Sequence, residues 1–301
     1  MGQTMAGGVA GAARDDARTG GLTLVGTPIG NLGDLSPRGC EALASADVIC
    51  AEDTRVTMRL LSACDIRGRL ERCDENVIAA RAPQLVARMQ AGERVAFVSD
   101  AGMPAVADPG ARLVDACHEA GVPVDVVPGP SAVTCAIAQA GFACEAFYFG
   151  GFLPRKDGPR ARLLAKLLRL PAVVVLYESP HRVAGSLRAI ADAAPERRVA
   201  MARELTKVHQ ELVRGTASEV ARVVGARDEV RGEVVIVVDA PGDDELAAAD
   251  GDAFDLDAAI AAGLAQGTPK SALARELAAR SGRPRGEVYD LIQRAADAAR
   301  G

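Results

Sequence analysis

Residues 98–110 read VSDAGMPAVADPG, a stretch of mostly small residues with two prolines, two aspartates and two glycines. The run RVAFV (residues 94–98) leads into it and is short and apolar, which is typical of a buried strand. The glycines that follow permit close backbone approaches that a Cβ would block, and the prolines fix φ and remove donors. The stretch predicts a strand followed by a tight loop that can press backbone against a ligand. An ordinary strand-to-helix turn has the same composition.

The chain before and after this loop alternates between strand and helix patterns. A helix is predicted after residue 36, because Ser36 can cap it and Pro37 suits its first position. The other helices are predicted at residues 83–91 and 111–120, and the other strands at residues 22–26, 47–51 and 124–127. This alternation favours a largely parallel sheet covered on both faces.

Two loops at strand ends resemble ligand-binding loops without matching a nucleotide motif. Gly26, Gly30 and Gly33 follow the first strand, but their spacing fits neither a dinucleotide-binding loop nor a P-loop. The polar residues 52–55 (EDTR) follow the second strand, where open α/β sheets place ligands. A capped helix start with a surface ion pair would look the same.

A second α/β unit is predicted after the PGP turn at residues 128–130, where Ser131 can cap an apolar helix. Its helices are predicted at residues 159–170, 181–193 and 217–225, and its strands at residues 147–152, 172–177, 198–202, 211–215 and 233–239. Three short helical patterns close the chain at residues 254–264, 270–281 and 285–298. Gly282, Arg283 and Pro284 join the last two, as in a helix-turn-helix unit.

Composition excludes several protein classes. The 301 residues contain seven cysteines without a C-x-x-C pair and three histidines, so zinc sites and disulfide scaffolds are poorly supported, and reduced, mostly buried thiols are expected. No apolar run approaches the roughly 18 residues that span a bilayer. The first twenty residues lack the apolar core of a signal peptide. We expect a cytoplasmic protein with a loose N-terminal tail.

Charge is distributed unevenly along the chain. Residues 239–257 hold eight acids and no base, so the remainder carries +3 although the total is −5. Residues 155–169 hold six bases and one acid, which fits either a phosphate-contacting lid or a solvated helix face. The last two helical patterns carry a local +3, which fits either a nucleic-acid contact module or a three-helix cap.

Seven motifs in order resemble the tetrapyrrole methylase superfamily, and within it the bacterial enzymes that methylate the 2′-hydroxyl of a decoding-centre cytidine in 16S ribosomal RNA. They are LVGTPIGNLGDLSPRGCEAL, CAEDTR, VSDAGMPAVADPG, VPGPSAV, FYFGGFLPRK, YESPHR and ARELTKVHQE. The resemblance implies two α/β domains with S-adenosylmethionine in the cleft between them, a homodimer, and no metal. With the helix-turn-helix-like unit, the predicted divisions are a tail (1–20), α/β domains (21–128 and 129–240), an acidic linker (241–257) and a helical module (258–301).

The resemblance also assigns residues to the methyl donor, which this superfamily grips largely by backbone. The donor-binding positions carried over are Pro28, Ala101, Gly102, Met103, Val106, Ser131, Ala132, Glu178 and Leu205. Met103 departs from the family pattern, which has threonine in the ribosomal RNA enzymes and aspartate in the tetrapyrrole enzymes. A side-chain contact to the donor would be altered by this change, whereas a backbone contact would not.

Methyl transfer to a ribose hydroxyl requires in-line alignment and a route for the proton. Candidate catalytic groups are Asp53, His181, Glu204 and Lys207, and each could equally belong to a structural ion pair. Glu204 and Lys207 are the hypothetical proton-handling pair. Candidate RNA-binding residues are Arg55, Arg155, Lys156, Arg160, Arg182 and Arg203.

Two other functions share most of these features. One is a small-molecule methyltransferase acting on a tetrapyrrole, against which the basic segment and the C-terminal helices argue. The other is a non-catalytic RNA-binding protein that keeps the fold. With no tryptophan, six phenylalanines and three tyrosines, recognition by base stacking is disfavoured, and the expected partner is 16S ribosomal RNA within the assembled small subunit.

Overall fold

A computed structural model describes residues 20–106, 108, 110–242, 245, 256–281 and 283–298. The described residues form two compact units, which divide between Ala240 and Pro241. The predicted tail, apart from Gly20, and most of the predicted acidic linker lie outside the described residues.

The first sheet contains five parallel strands in the order β3-β2-β4-β1-β5. The strands are β1 (Gly21–Val25), β2 (Val48–Ala51), β3 (Leu70–Arg72), β4 (Arg94–Val98) and β5 (Val124–Val127). The helices between them are α1 (Pro37–Ser45), α2 (Thr54–Ala63), α3 (Ile78–Gln90) and α4 (Gly110–Glu119). Every residue of β2 is buried, as expected for a parallel strand covered on both faces. The predicted parallel sheet is confirmed.

Local capping explains where the helices of the first sheet begin. Ser36 caps α1 as predicted, since its side chain accepts a hydrogen bond from the Gly39 amide. The predicted start of α3 at Pro83 is wrong by five residues. Asp74 accepts hydrogen bonds from the amides of Asn76 and Val77, and this turn starts the helix before the proline. Sequence patterns also missed β3.

The second sheet has the order β6-β7-β10-β8-β9. Its strands are β6 (Phe147–Phe152), β7 (Val173–Glu178), β8 (Arg198–Arg203), β9 (Glu211–Thr216) and β10 (Val234–Val238). Its helices are α5 (Ala132–Ala140), α6 (Asp157–Leu167), α7 (Val183–Ala193) and α8 (Ala217–Gly225). Only β6 and β7 run parallel, and the other three pairings are antiparallel.

Antiparallel β10 matters for the site because it starts where β7 ends. Val234 pairs with Glu178 and Val238 pairs with Val174. The segment that precedes β10 therefore lies beside the carboxyl end of β7. Helix α5 packs against this second sheet, where Val133 and Ala136 share a core with β7, β8 and β10.

The second unit contains three helices, α9 (Leu256–Ala265), α10 (Lys270–Ser281) and α11 (Arg285–Ala298). They share a small apolar core that includes Ile260, Leu273 and Ile292. The predicted bounds of α10 and α11 are confirmed, while Gly282 between them lies outside the described residues.

The buried apolar residues of the described segments form several separate cores. Cys50, Cys73 and Cys117 are buried, and Cys144 is exposed. A bilayer-crossing helix is not found among the described residues, whose helices are too short or too polar for that.

Candidate functional site

A cavity of about 560 Å³ opens at the carboxyl ends of β2, β4 and β7, and we call it the donor cavity. This is the edge at which open α/β sheets bind ligands. Seven residues that were predicted to bind a methyl donor line it: Ala101, Gly102, Met103, Val106, Ser131, Ala132 and Glu178. The sequence patterns therefore bring separate loops to one site.

Glycines allow the loops behind the cavity to touch through bare backbone. A Cβ on Gly26 would lie 2.6 Å from the Cα of Gly129, which leaves room for no side chain at either position. The amide of Thr27 donates to the carbonyl of Gly102 at 2.9 Å, and the Gly102 amide donates back at 3.1 Å. Gly102 itself has φ of +83°. The glycines thus hold the loop after β1 against the loop after β4 and the turn after β5.

Met103 joins the same junction through its side chain. The Gly129 amide donates a hydrogen bond to the Met103 sulfur at 3.2 Å. Because Met103 also lines the cavity, its side chain connects the loop after β4 to the PGP turn. Methionine at position 103, where the family pattern has threonine or aspartate, is thus accommodated by packing between the loop after β4 and the PGP turn.

Ser131 occupies the N-cap position of α5, but its side chain makes no capping hydrogen bond, so the predicted cap is wrong. Its backbone is extended, with φ of −137° and ψ of 123°. Instead of capping the helix, Ser131 lies in the wall of the donor cavity beside Ala132.

Carboxylates make up much of the polar lining of the donor cavity. Besides Glu178 they are Glu52, Asp100, Asp108 and Glu233, of which Glu233 alone lies outside the segments that the sequence placed at a possible ligand site. Burial raises the pKa of Glu52, and the charges of Asp100 and Asp108 raise it further. Burial also raises the pKa of Asp108. One Asp108 oxygen accepts from the Ala105 and Gly110 amides, while Oδ2 is buried without a hydrogen-bond partner among the described residues. Such a lining favours a cation.

Glu178 is buried, with 3% of its surface exposed, and its carboxylate is held by other protein groups. It accepts hydrogen bonds from the Ser186 hydroxyl at 2.5 Å, from Arg182 at 3.2 Å and from the Ser179 amide at 2.8 Å. These bonds satisfy a buried charge. They position residues 178–180, which form part of the cavity wall.

The ARELTK segment packs on the loop after β1 and lies outside the donor cavity. Lys207 donates to Glu204 at 2.9 Å and to Glu233 at 3.1 Å. The Asn31 amide donates to the Thr206 hydroxyl at 3.1 Å. Glu204 and Thr206 have φ of +52° and +65°, which is an unfavourable region for both residue types. Leu205 is buried in the core of the second sheet and does not line the cavity.

A smaller cavity of about 250 Å³, which we call the side groove, adjoins the donor cavity. It is lined by Pro28 and Lys207 together with residues of α2. The two cavities share Ile29, Ser99, Asp100, Ala101 and Glu233. Pro28, predicted to bind the donor, therefore lies in the side groove.

The other candidate residues lie outside both cavities. Asp53 caps α2 and accepts a hydrogen bond from the Arg55 side chain at 2.6 Å. This is the capped ion pair that the sequence offered as the alternative to a ligand site. The side-chain hydrogen bond from Arg55 keeps the pKa of Asp53 well below its usual range. His181 is exposed beside the cavity wall residue Pro180.

The candidate RNA-binding residues differ in whether they already pair with acidic side chains of the protein. Arg203 pairs with Glu211 at 2.9 Å and Arg160 with Asp157 at 2.7 Å. Arg155 and Lys156 are exposed just before α6. They therefore remain accessible to a phosphate group.

Two of the acids that line the donor cavity could have been found from local patterns. Asp100 and Asp108 belong to the stretch 98–110, and their position after a buried strand was a usable signal. Other lining residues had no such signal. Residues 232–235 line the cavity because β10 is antiparallel to β7. Tyr177 and Phe152 form an edge-to-face pair at the wall, with ring centroids 5.8 Å apart, across two strands.

Comparison with known proteins places these features in one family. Residues 21–221 match the model of the Tetrapyrrole (Corrin/Porphyrin) Methylases. The chain is 45% identical over 234 residues to a Ribosomal RNA small subunit methyltransferase I from Neisseria meningitidis, covering 77% of this chain and 80% of that relative. Identity to the protein of the same name from Synechocystis is 38% over 272 residues, covering 90% of this chain and 96% of the relative.

A solved structure has the same fold at low sequence identity. It is a uroporphyrin-III C-methyltransferase from Thermus thermophilus in complex with S-adenyl homocysteine. The match has a TM-score of 0.52 and 19% identity, and it covers 72% of this chain and 97% of that one. At this level of identity the likeness shows the fold alone.

Proposed function

The chain belongs to the tetrapyrrole methylase family, and we propose that it transfers a methyl group from S-adenosylmethionine to the ribose 2′-hydroxyl of a cytidine in 16S ribosomal RNA. The observation that carries this proposal is the donor cavity, since the family's motifs converge on it. Relatives that are 38–45% identical are named small subunit ribosomal RNA methyltransferases. We take the assembled small subunit in the cytoplasm as the substrate.

The lining of the donor cavity fits this cofactor in size and charge. A volume of about 560 Å³ lies within the range of small-molecule sites, roughly 300–1,000 Å³. Glu52, Asp100 and Asp108 offer negative charge to a cationic ligand. S-adenosylmethionine supplies a cationic sulfonium whose methyl group is electrophilic.

The protein's task in this reaction is to hold the reacting groups in line and to exclude water. Backbone of Ala101 and Gly102, the Met103 loop, and the start of α5 at Ser131 and Ala132 would hold the donor. Glu178 fixes the opposite wall through its buried hydrogen bonds. The side groove brings Lys207 next to the shared wall, where the acceptor oxygen would approach.

Glu204 and Lys207 are proposed to handle the hydroxyl proton. Burial alone would raise the pKa of Glu204, but hydrogen bonds from Lys207 and the Glu233 amide lower it overall. Burial alone would lower the pKa of Lys207, but its bonds to Glu204 and Glu233 raise it overall. Both groups are therefore charged near neutral pH, so the Glu204 carboxylate is the member of the pair that can accept the hydroxyl proton, while the Lys207 ammonium can stabilise negative charge developing on the ribose oxygen. If Glu204→Gln and Lys207→Ala both keep wild-type turnover, this pair does not handle the hydroxyl proton.

We further propose a homodimer. Phe147 and Tyr148 are 49% and 47% exposed on β6, which is an edge strand of its sheet. Exposed apolar side chains on a strand edge favour association with another chain. Sedimentation should give a dimer for the wild type and a monomer for Phe147→Glu. A wild-type monomer at micromolar concentration would exclude this arrangement.

The direct test of the reaction uses labelled S-adenosylmethionine and purified small ribosomal subunits from a strain that lacks the endogenous enzyme. We expect label on the 2′-hydroxyl of one cytidine in 16S ribosomal RNA, located by nuclease mapping. Subunits incubated without the protein are the control. Label on a base, or no label while calorimetry shows donor binding, would contradict the proposed function.

A further inference from the structure

The side groove combines apolar walls with charged side chains of both signs, the bases Arg59 and Lys207 and the acids Asp100 and Glu233. Leu32 and Val56 line it and are 52% and 39% exposed, although both are apolar. They come from different elements, the loop after β1 and helix α2. Exposed apolar side chains on two sides of a cleft suit a flat ligand that is itself apolar on its faces.

Two cations lie in the same groove, and they differ in their partners. Lys207 is held by Glu204 and Glu233. Arg59 is exposed, and among the described residues it has no ion-pair partner. Arg55, one turn earlier on α2, is already paired with Asp53. Arg59 is therefore the groove's available guanidinium, and a phosphate is the anion that a guanidinium matches in geometry.

The position of the side groove identifies what it would receive. It shares five lining residues with the donor cavity, so a ligand in it lies next to the ligand in the donor cavity. Its volume of about 250 Å³ is of the order of a single nucleoside. RNA-modifying proteins commonly bind bases that are splayed out of the stack.

We propose that the side groove binds the target nucleotide, unstacked from the RNA, with its base against Leu32 and Val56 and its phosphate on Arg59. This inference rests on the proposed function and adds the acceptor site to it. Arg59 acts in substrate binding, so its removal lowers affinity for RNA without changing the affinity for the methyl donor.

The experiment compares Arg59→Ala with Arg222→Ala, which removes the same charge from an exposed position on α8 outside both cavities. For Arg59→Ala we expect KM for small subunits to rise about tenfold. We also expect the salt dependence of subunit binding, plotted as log Kd against log salt, to lose a slope of about 1. Donor binding by calorimetry should stay within about twofold of wild type, since Arg59 does not line the donor cavity.

A second variant tests the groove independently of Arg59. Val56→Glu places a negative charge at an exposed position in the groove, and we expect a similar rise in KM with unchanged donor binding. If the wild type is active but Arg59→Ala and Val56→Glu behave like Arg222→Ala, the acceptor site lies elsewhere and the proposed function stands. A wild-type chain that transfers no label overturns the proposed function, and the acceptor assignment with it.

Discussion

At the scale of single residues, glycines decide how closely the site's loops approach one another. Gly26 and Gly129 touch through backbone behind the donor cavity. Gly232 has φ of +89° and lies against Glu204, next to residues of the cavity wall. A Cβ at Gly232 would lie 2.4 Å from the Glu204 carboxyl carbon. The glycine therefore allows Glu204 to hold Lys207.

Gly232→Ala should lower the free energy of unfolding by about 1–3 kcal/mol, because alanine is strained at positive φ and meets Glu204. Urea denaturation measures this. Gly185→Ala is the matched control, since Gly185 lies within α7 and a Cβ there meets no atom within 4 Å. The control should be unchanged or stabilised by up to about 1 kcal/mol. Equal stability of the two variants would contradict the contact with Glu204.

Glu211 should make stability depend on pH in the acid range. Hydrogen bonds from Arg227, opposed by burial and reinforced by Arg203, lower its pKa from 4.5 to about 2. A lowered pKa in the folded state stabilises the protein above the unfolded pKa, and this stabilisation is lost as pH falls from about 4.5 to about 2. After allowance for partial exposure the effect is about 1–2 kcal/mol.

The measurement is urea denaturation of wild type and Glu211→Gln at pH 6 and at pH 3. The wild type should be more stable at pH 6, and the difference between the two proteins should shrink at pH 3. A difference that grows toward low pH would show that Glu211 is not held as a carboxylate by its arginines.

At the scale of secondary structure, the N-cap residues of α2 and α5 have different roles. Asp53 was a candidate catalytic residue, but its side chain accepts from the Arg55 amide and guanidinium at the start of α2. Ser131 stands at the same position of α5 without capping it and faces the donor cavity instead. The two N-cap positions thus serve different purposes.

Asp53→Ala should destabilise the protein by about 1 kcal/mol, because it removes the cap of α2. Asp53→Asn should keep most of that stability, since asparagine caps as well as aspartate. Thermal unfolding of both variants measures the difference. Loss of methyl transfer by a stable Asp53→Asn would return Asp53 to the catalytic groups.

At the scale of the whole molecule, every residue that lines either cavity precedes Pro241. The three C-terminal helices form a second unit with their own core. We therefore propose that they contact the RNA or a partner chain and not the methyl donor.

Deletion of residues 241–301 should leave donor binding by calorimetry within about twofold of wild type and raise KM for small subunits at least severalfold. Circular dichroism and the unfolding midpoint check that the first unit keeps its fold. Unchanged KM in a folded deletion variant would assign the second unit a purely structural function.

Features that depend on neighbours along the chain were predictable from residue order. The apolar run before Ser99 predicted β4, the Ser36 and Pro37 pair predicted the start of α1, and the apolar patterns predicted α10 and α11. The ordered motifs also predicted the family and seven residues of the donor cavity. Strand formation, capping and turn geometry are local, so residue order contains this information.

Features that depend on distant segments became evident in the folded chain. The antiparallel pairing of β10 with β7 brings residues 232–235 to the cavity, and no periodicity along the chain indicates strand order. The Glu178 carboxylate is buried and already accepts hydrogen bonds from Ser186 and Arg182, and Leu205 packs in the core of the second sheet. The physical reason is that contact, burial and pKa are set by groups that converge in space, whatever their separation along the chain.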